Sequence, residues 1–145
     1  MPPALPLLGS TLHAPLSVFD IAGRAMAAQL LRLNTTASNL ANAGAVTGSA
    51  ASAYRALKPV FAAHYDGAQR ATVDVEGVVP SAAAPERRHD PAHPLADSNG
   101  DVWVAAVDPN QELVEMMETS RQYSNNVEVL STAKALLLET LKHGK

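Results

Sequence analysis

Three short stretches of this sequence hold side chains that could do chemistry. His89, Asp90 and His93 form an H-D-x-x-H cluster, a spacing that serves metal sites when a helix turns two ligands to one side. Pro91 and Pro94 interrupt it and exclude that helix, because proline fixes φ and removes a backbone donor. With no third ligand evident, no metal or other cofactor is expected. Asp97-Ser98-Asn99-Gly100-Asp101 resembles a calcium loop in part, but its glycine comes early and no bidentate Glu follows at the required place. Asn99-Gly100 reads instead as a two-residue hairpin turn. Asp74 and Glu76 fall on one face of an alternating stretch, where a solvated strand face is the expectation. Ser, His and Asp all occur, yet neither a nucleophile elbow nor a glycine-rich phosphate loop is present. The absence of cysteine removes thiolate chemistry and disulfides. The chain reads as non-enzymatic, with no catalytic residue.

A second polar set points elsewhere. Asn34, Asn39 and Asn42 sit where a helix interior is expected, and asparagine is costly there because its side chain competes for backbone groups. Asn34 and Asn39 are expected to bond across helices and set register between subunits, as polar positions do in coiled coils. For Asn42 a terminal helical turn explains the residue equally well.

The elements that must position these residues follow from composition and period. The chain has 145 residues and is 47% hydrophobic but only 4% aromatic. Much of the apolar fraction is alanine, which fills a globular interior poorly but lets helices approach closely. A formal net charge of -3 and no basic patch give no ground for a nucleic-acid or anionic-membrane partner. Residues 1–15 carry Pro2, Pro3, Pro6 and Pro15 and read as an extended or disordered extension. They lack a basic segment ahead of an apolar run, so no cleaved secretory signal is expected, and no stretch is long enough for membrane insertion.

Residues 16–44 predict a helix with Ser17 as N-cap and Gly44 as a left-handed C-cap. Phe19, Ala22, Met26, Leu30, Leu33, Ala37 and Leu40 recur at spacings of three and four, a stripe of coiled-coil type. Residues 109–145 predict a second helix, with Asp108 as N-cap, Pro109 in its first turn and Gly144 at its close. Its stripe is Leu113, Met116, Ser120, Tyr123, Val127, Leu130, Lys134, Leu137 and Leu141, with Ser120 and Lys134 as polar exceptions. Between the helices, residues 45–108 predict a β/loop insert: strands over 54–65 and 71–79, a loop over 81–94, and a strand at Val102-Trp103-Val104. The expected fold is mainly α with a small β insert, the N- and C-terminal helices packed as a coiled coil and a short β-hairpin element between them.

Charge on the first helix is sparse: Asp20, Arg24 and Arg32 only. A helix with one wet face normally places its Lys, Glu, Asp and Arg there. Small uncharged residues such as Ala25, Ala28, Thr35 and Ser38 occupy that face instead, compatible with burial on more than one side. One partner helix covers one stripe, so neighbouring helices are expected, the alternative being a small monomeric bundle whose β insert covers the spare surface. The predicted assembly interface comprises Phe19, Met26, Leu30, Leu33, Asn34, Asn39, Leu40, Tyr123, Asn126, Val127, Leu130, Leu137 and Leu141. A soluble helical adaptor or secretion chaperone, binding partner helices without polymerising, is the competing expectation.

Several motifs carry a family resemblance. Phe19-Asp20-Ile21-Ala22-Gly23, Arg32-Leu33-Asn34 and Ala37-Ser38-Asn39-Leu40-Ala41-Asn42-Ala43 resemble the N-terminal signature of flagellar basal-body rod and hook proteins. Val46-Thr47-Gly48, Tyr54-Arg55-Ala56 and His93-Pro94-Leu95-Ala96-Asp97 are similar to the short proximal-rod type. So are Asn126-Val127-Glu128-Val129-Leu130 and Thr132-Ala133-Lys134 near the C-terminus. The resemblance runs from about Ser17 to Lys145. It implies a structural subunit of the bacterial flagellar rod that stacks helically with copies of itself and other rod proteins, crosses the periplasm and transmits torque. Export through the flagellar type III apparatus, without a cleaved signal, is implied with it. Residues 1–12 have no counterpart in that family, and residues 45–53 are richer in alanine and serine than its usual loop.

Overall fold

The computed structural model describes residues 17–65 and 71–144; the extension expected over residues 1–15 lies outside them. Helix α1 (Val18–Ala41) begins at a reciprocal capping box. The Asp20 N–H donates to Ser17 Oγ at 3.1 Å, and the Ser17 N–H donates to Asp20 Oδ2 at 3.0 Å. Two backbone donors that a helix start leaves unpaired are thereby satisfied. The backbone hydrogen bond from Ser17, then the one from its hydroxyl, holds the Asp20 carboxyl below its ordinary value.

The helix closes at Asn42 rather than through Gly44. Asn42 is the C-cap at φ -107°, and its Nδ2 donates to the Ser38 carbonyl at 2.8 Å. That side chain satisfies a terminal carbonyl, so a left-handed glycine is not required; among the described glycines only Gly100 has positive φ. Helix α2 (Pro109–His143) opens as expected, with the Asp108 side chain accepting from the Asn110 and Gln111 N–H groups and Pro109 in the first turn. Glu112 near its start and Lys142 and His143 near its end suit the helix dipole, and Gly144 is its C-cap.

The insert forms strands β1 (Val46–Thr47), β2 (Leu57–Tyr65), β3 (Ala71–Pro80), β4 (Glu86–His89) and β5 (Asp101–Val104). They make two antiparallel sheets, a β2-β3 ribbon and a three-stranded sheet in the order β1-β5-β4. Two expectations are corrected here. The loop expected over 81–94 contains β4, whose residues are all exposed and lack alternation; its strand character comes from pairing with β5. Asn99-Gly100 is not a two-residue hairpin connection, because His89 pairs with Asp101 and residues 90–100 join the strands. It forms a local turn instead: Asp97 Oδ1 accepts from the Asn99 and Asp101 N–H groups at 2.8 and 2.9 Å. Gly100 sits at φ 77°, where a Cβ would also meet Pro91 at 2.9 Å. The two backbone donors lower the Asp97 carboxyl below its ordinary value, that of Asp101 most.

Asp74 and Glu76 do not share a face. The pairing shifts between Val60 and Phe61, which face Gly77 and Val75, so Glu76 is the extra residue of a bulge. Less exposed positions on β3 therefore run Thr72, Asp74 and Gly77, while Glu76 is exposed. Helix α1 packs on β2, on β3 and on α2. In the insert, Val102 of β5 is fully buried, and Ala53, Ala56 and Ala105 are buried as well. Apart from Val102, the fully or nearly fully buried apolar residues among those described are alanines, in keeping with an alanine-rich chain with few aromatics.

Candidate assembly interface

Helices α1 and α2 run antiparallel. Gln29 Nε2 donates to Gln122 Oε1 at 2.9 Å, Arg32 pairs with Glu115, and Asn39 Nδ2 donates to Glu112 Oε2 at 3.3 Å. Residues closer to the end of α1 thus meet residues closer to the start of α2.

The seam between them differs from both predicted stripes in the same way. On α1, Gln29 and Thr36 are turned inward while Leu30 and Ala37 are exposed. On α2, Thr119, Asn126 and Ala133 are buried or half-buried while Ser120, Val127 and Lys134 are exposed. The seam therefore takes the residue one place earlier at every other heptad position. Met26, Leu33 and Leu40 on α1, and Met116, Tyr123 and Leu130 on α2, keep their expected places and are half-buried. One line of the seam is apolar; the other is small or polar. Thr119 is fully buried, and its hydroxyl has no hydrogen-bond partner among the described residues.

The physical reason is the second contact of α1. Its Arg24 holds both Asp74 oxygens of β3 at 2.7 Å, and its Ser38 and Asn39 reach Tyr54 and Leu57. Packing the ribbon on that side rotates the helix away from the face that periodicity alone selects. The most buried α1 positions, Ala22, Ala28, Thr35, Thr36 and Asn39, centre about 120° around the helix from the predicted stripe.

Of the predicted interface residues, Met26, Leu33, Leu40, Tyr123, Asn126 and Leu130 are half-buried along the helix pair. Phe19, Leu30, Asn34, Val127, Leu137 and Leu141 are exposed. Asn39 alone is buried, and its bonds lie inside the subunit. Leu57 N–H and Tyr54 Oη donate to its Oδ1 at 2.7 and 3.0 Å, while its Nδ2 donates to the Leu57 carbonyl at 3.0 Å. It joins the end of α1 to the start of β2. Asn34 is exposed on α1, and Asn42 caps it as already described.

Among the described residues, the far end of the pair is open. Val18 lies beside Val129, Ala133 and Leu136 across a shallow apolar groove, so α2 runs about 15 Å past the start of α1. Leu136, Leu137, Leu138 and Leu141 in that overhang are all exposed, Leu141 by 61%. Further apolar residues stand out along the pair, including Phe19, Leu30, Leu113, Val114 and Met117.

Gln29, Arg32, Glu115, Thr119 and Gln122 were not singled out by sequence as seam residues. The available signal was the pair of polar exceptions: moving those positions back by one replaces Ser120 and Lys134 with Thr119 and Ala133. The H-D-x-x-H residues diverge, since His89 Nδ1 lies 2.9 Å from Asp101 and His93 Nδ1 accepts from the Leu95 N–H. No helix among the described residues is long and apolar enough to cross a membrane.

Comparison with known proteins identifies the family. A family model described as flagella basal body rod protein matches residues 19–48, and one described as flagellar basal body rod FlgEFG protein C-terminal matches residues 99–142. The flagellar basal-body rod protein FlgC of Salmonella typhimurium is 46% identical over 133 residues, covering 91% of this chain and 99% of that protein. Its counterpart in Yersinia enterocolitica is 44% identical, covering 90% and 98%. The one in Buchnera aphidicola subsp. Acyrthosiphon pisum is 32% identical, covering 87% and 95%.

Proposed function

This chain belongs to the flagellar basal-body rod protein family, of the FlgC type, as a structural subunit of the rod, and from that premise we propose how it assembles. Copies stack helically with one another and with other rod proteins, and the terminal helices form the inner coiled coil of the stack. Exposed apolar positions on both helices, Phe19, Leu30, Val127, Leu137 and Leu141, meet neighbouring subunits, while the β insert stays outside. Such a stack resists twisting and so transmits torque. The subunit reaches the periplasmic rod through the flagellar type III export apparatus without a cleaved signal.

The observation that carries this reading is the apolar surface left on both helices after they have paired. Contiguous apolar surface rimmed by polar residues marks an interaction site rather than an ordinary monomer surface. A soluble adaptor would also need such a surface, but family membership favours the rod.

Deleting the gene is expected to abolish swimming and to leave basal bodies without a completed rod. Complementation with Leu30→Asp is expected to fail although the purified variant melts like the parent. Completed rods in the deletion strain, or normal swimming with Leu30→Asp, would overturn the proposed surface.

A further inference from the structure

A helix pair that must assemble among many similar helices has two problems, sticking and choosing. Apolar contact solves the first and does little for the second, because one leucine face fits another in several registers. In this chain the apolar residues are distributed over all sides of both helices, and several remain exposed. The side-chain hydrogen bonds between α1 and α2 are confined to one polar line, and they are densest around Arg32.

Arg32 is bound from two turns of α2. It pairs with Glu115, and its Nη1 donates to Gln122 Oε1 at 3.2 Å. The same nitrogen donates to Gln29 Oε1 at 3.3 Å, while Gln29 Nε2 donates to Gln122 Oε1 at 2.9 Å. Gln122 Nε2 in turn donates to Glu118 at 3.0 Å. Each member thus positions another. Arg32 is the more buried partner of the ion pair, with 23% of its side chain exposed. A guanidinium in that position is costly when its carboxylate is removed.

We infer that the Arg32–Glu115–Gln29–Gln122 network selects the partner and the register: it makes α1 pair with the α2 of its own chain in one alignment and against other helices. The alternatives are penalised by the same residues. Two α1 helices side by side bring Arg32 towards Arg32 without a carboxylate partner for either. Two α2 helices in parallel register bring Glu115 and Glu118 together with their counterparts. A slip of one heptad towards the C-terminus of α2 sets Gln29 against Val129, so that Gln29 Nε2 loses its acceptor on α2. Stability alone does not require this network, since a well-packed apolar pair commonly equals or exceeds a partly buried ion pair. Its contribution is to discriminate among partners, and these are positioning residues for assembly.

The test uses the full chain, which has no cysteine to confuse it. Arg32→Glu and Glu115→Arg are each expected to lower amide-exchange protection at Leu33 and Thr119 by about tenfold or more. The double variant is expected to recover protection to within about threefold of the parent. The decisive arm mixes the two single variants. If the network selects partners, each variant's mismatched helix finds its complement on the other, and a one-to-one exchanged dimer forms that neither variant forms alone. Sizing by light scattering reads this directly. A double variant that stays unprotected overturns the inference, and so does a mixture that stays monomeric while the double variant recovers. Replacing the pair with Arg32→Met and Glu115→Leu guards against simple misfolding. That variant is expected to keep its protection yet form homodimers on concentration, and a strictly monomeric result counts against selection.

Discussion

The two ends of the helix pair are built on opposite terms. Where α1 finishes and α2 starts, Asn39, Tyr54, Leu57 and Glu112 satisfy one another within a few ångströms, and the strand that follows is tied to the helix that precedes it. Where α1 starts, α2 continues past it and exposes Leu136, Leu137, Leu138 and Leu141. The closed end is polar and complete; the open end is apolar and leaves its surface uncovered by the described residues. Hydrogen bonds demand particular geometry, so they fix one subunit's shape, whereas apolar surface tolerates a range of partners and suits contacts between subunits.

Substitutions can break this contrast, beginning with the closed end. Asn39→Ala removes the partner of both backbone groups of Leu57 and is expected to cost about 3 kcal/mol. Urea unfolding of the purified subunit measures it, and a loss near zero would mean that water replaces the asparagine without strain. A smaller change in the opposite direction is expected midway along the seam. Thr119→Val keeps the shape and removes a buried hydroxyl that has no partner, so it should raise stability by about 1 kcal/mol. An unchanged or lowered midpoint would indicate that the hydroxyl is paired in solution.

At the start of α1, Ser17→Ala should cost about 1 kcal/mol through the lost cap. The cap also predicts a pH dependence. Asp20 has a folded-state value below its ordinary 3.8, so its contribution is complete above that value and is lost as pH falls through the lowered one. Protection of the first turn should therefore decline only below pH 3.8, and Ser17→Ala should lessen the decline in part, because it removes the hydroxyl but keeps the backbone N–H that donates to Asp20. The smallest effect on the isolated subunit is expected at the open end. Leu137→Asp and Leu141→Asp change its stability by no more than about 0.5 kcal/mol, yet should abolish swimming. Variants that unfold in isolation would place those leucines in the subunit's own core.

Much of this was legible in the sequence because it depends on neighbours in the chain. Ser17 with Asp20, and Asp108 with Pro109, marked both helix starts, since a cap needs only residues within three or four places. The two long strands were also readable from their β-forming residues. Legibility failed where the partner is distant. β4, with Glu86-Arg87-Arg88-His89, has no strand pattern of its own and exists because β5 offers an edge. The bulge that turns Glu76 away from Asp74 depends on register against β2. Gly44 looked like a cap until Asn42 was seen filling the role.

The candidate interface divides in the same way. The apolar heptad positions Met26, Leu33, Leu40, Met116, Tyr123 and Leu130 were identifiable because hydrophobic period is a one-dimensional signal. Which side of that line faces the partner was not, because two neighbouring positions differ by a rotation that the period tolerates. The ribbon packed on α1 decided it, through Arg24 with Asp74 and Asn39 with Leu57. The sequence by itself determined that two end helices exist, where they start, and that their combined apolar surface exceeds what a single pair covers. Only the tertiary structure decided that Gln29, Arg32, Thr36 and Thr119 lie within or beside the seam while Leu30 and Val127 lie outside. Hydrophobicity is a property of a residue, but orientation is set by everything packed around the helix that carries it.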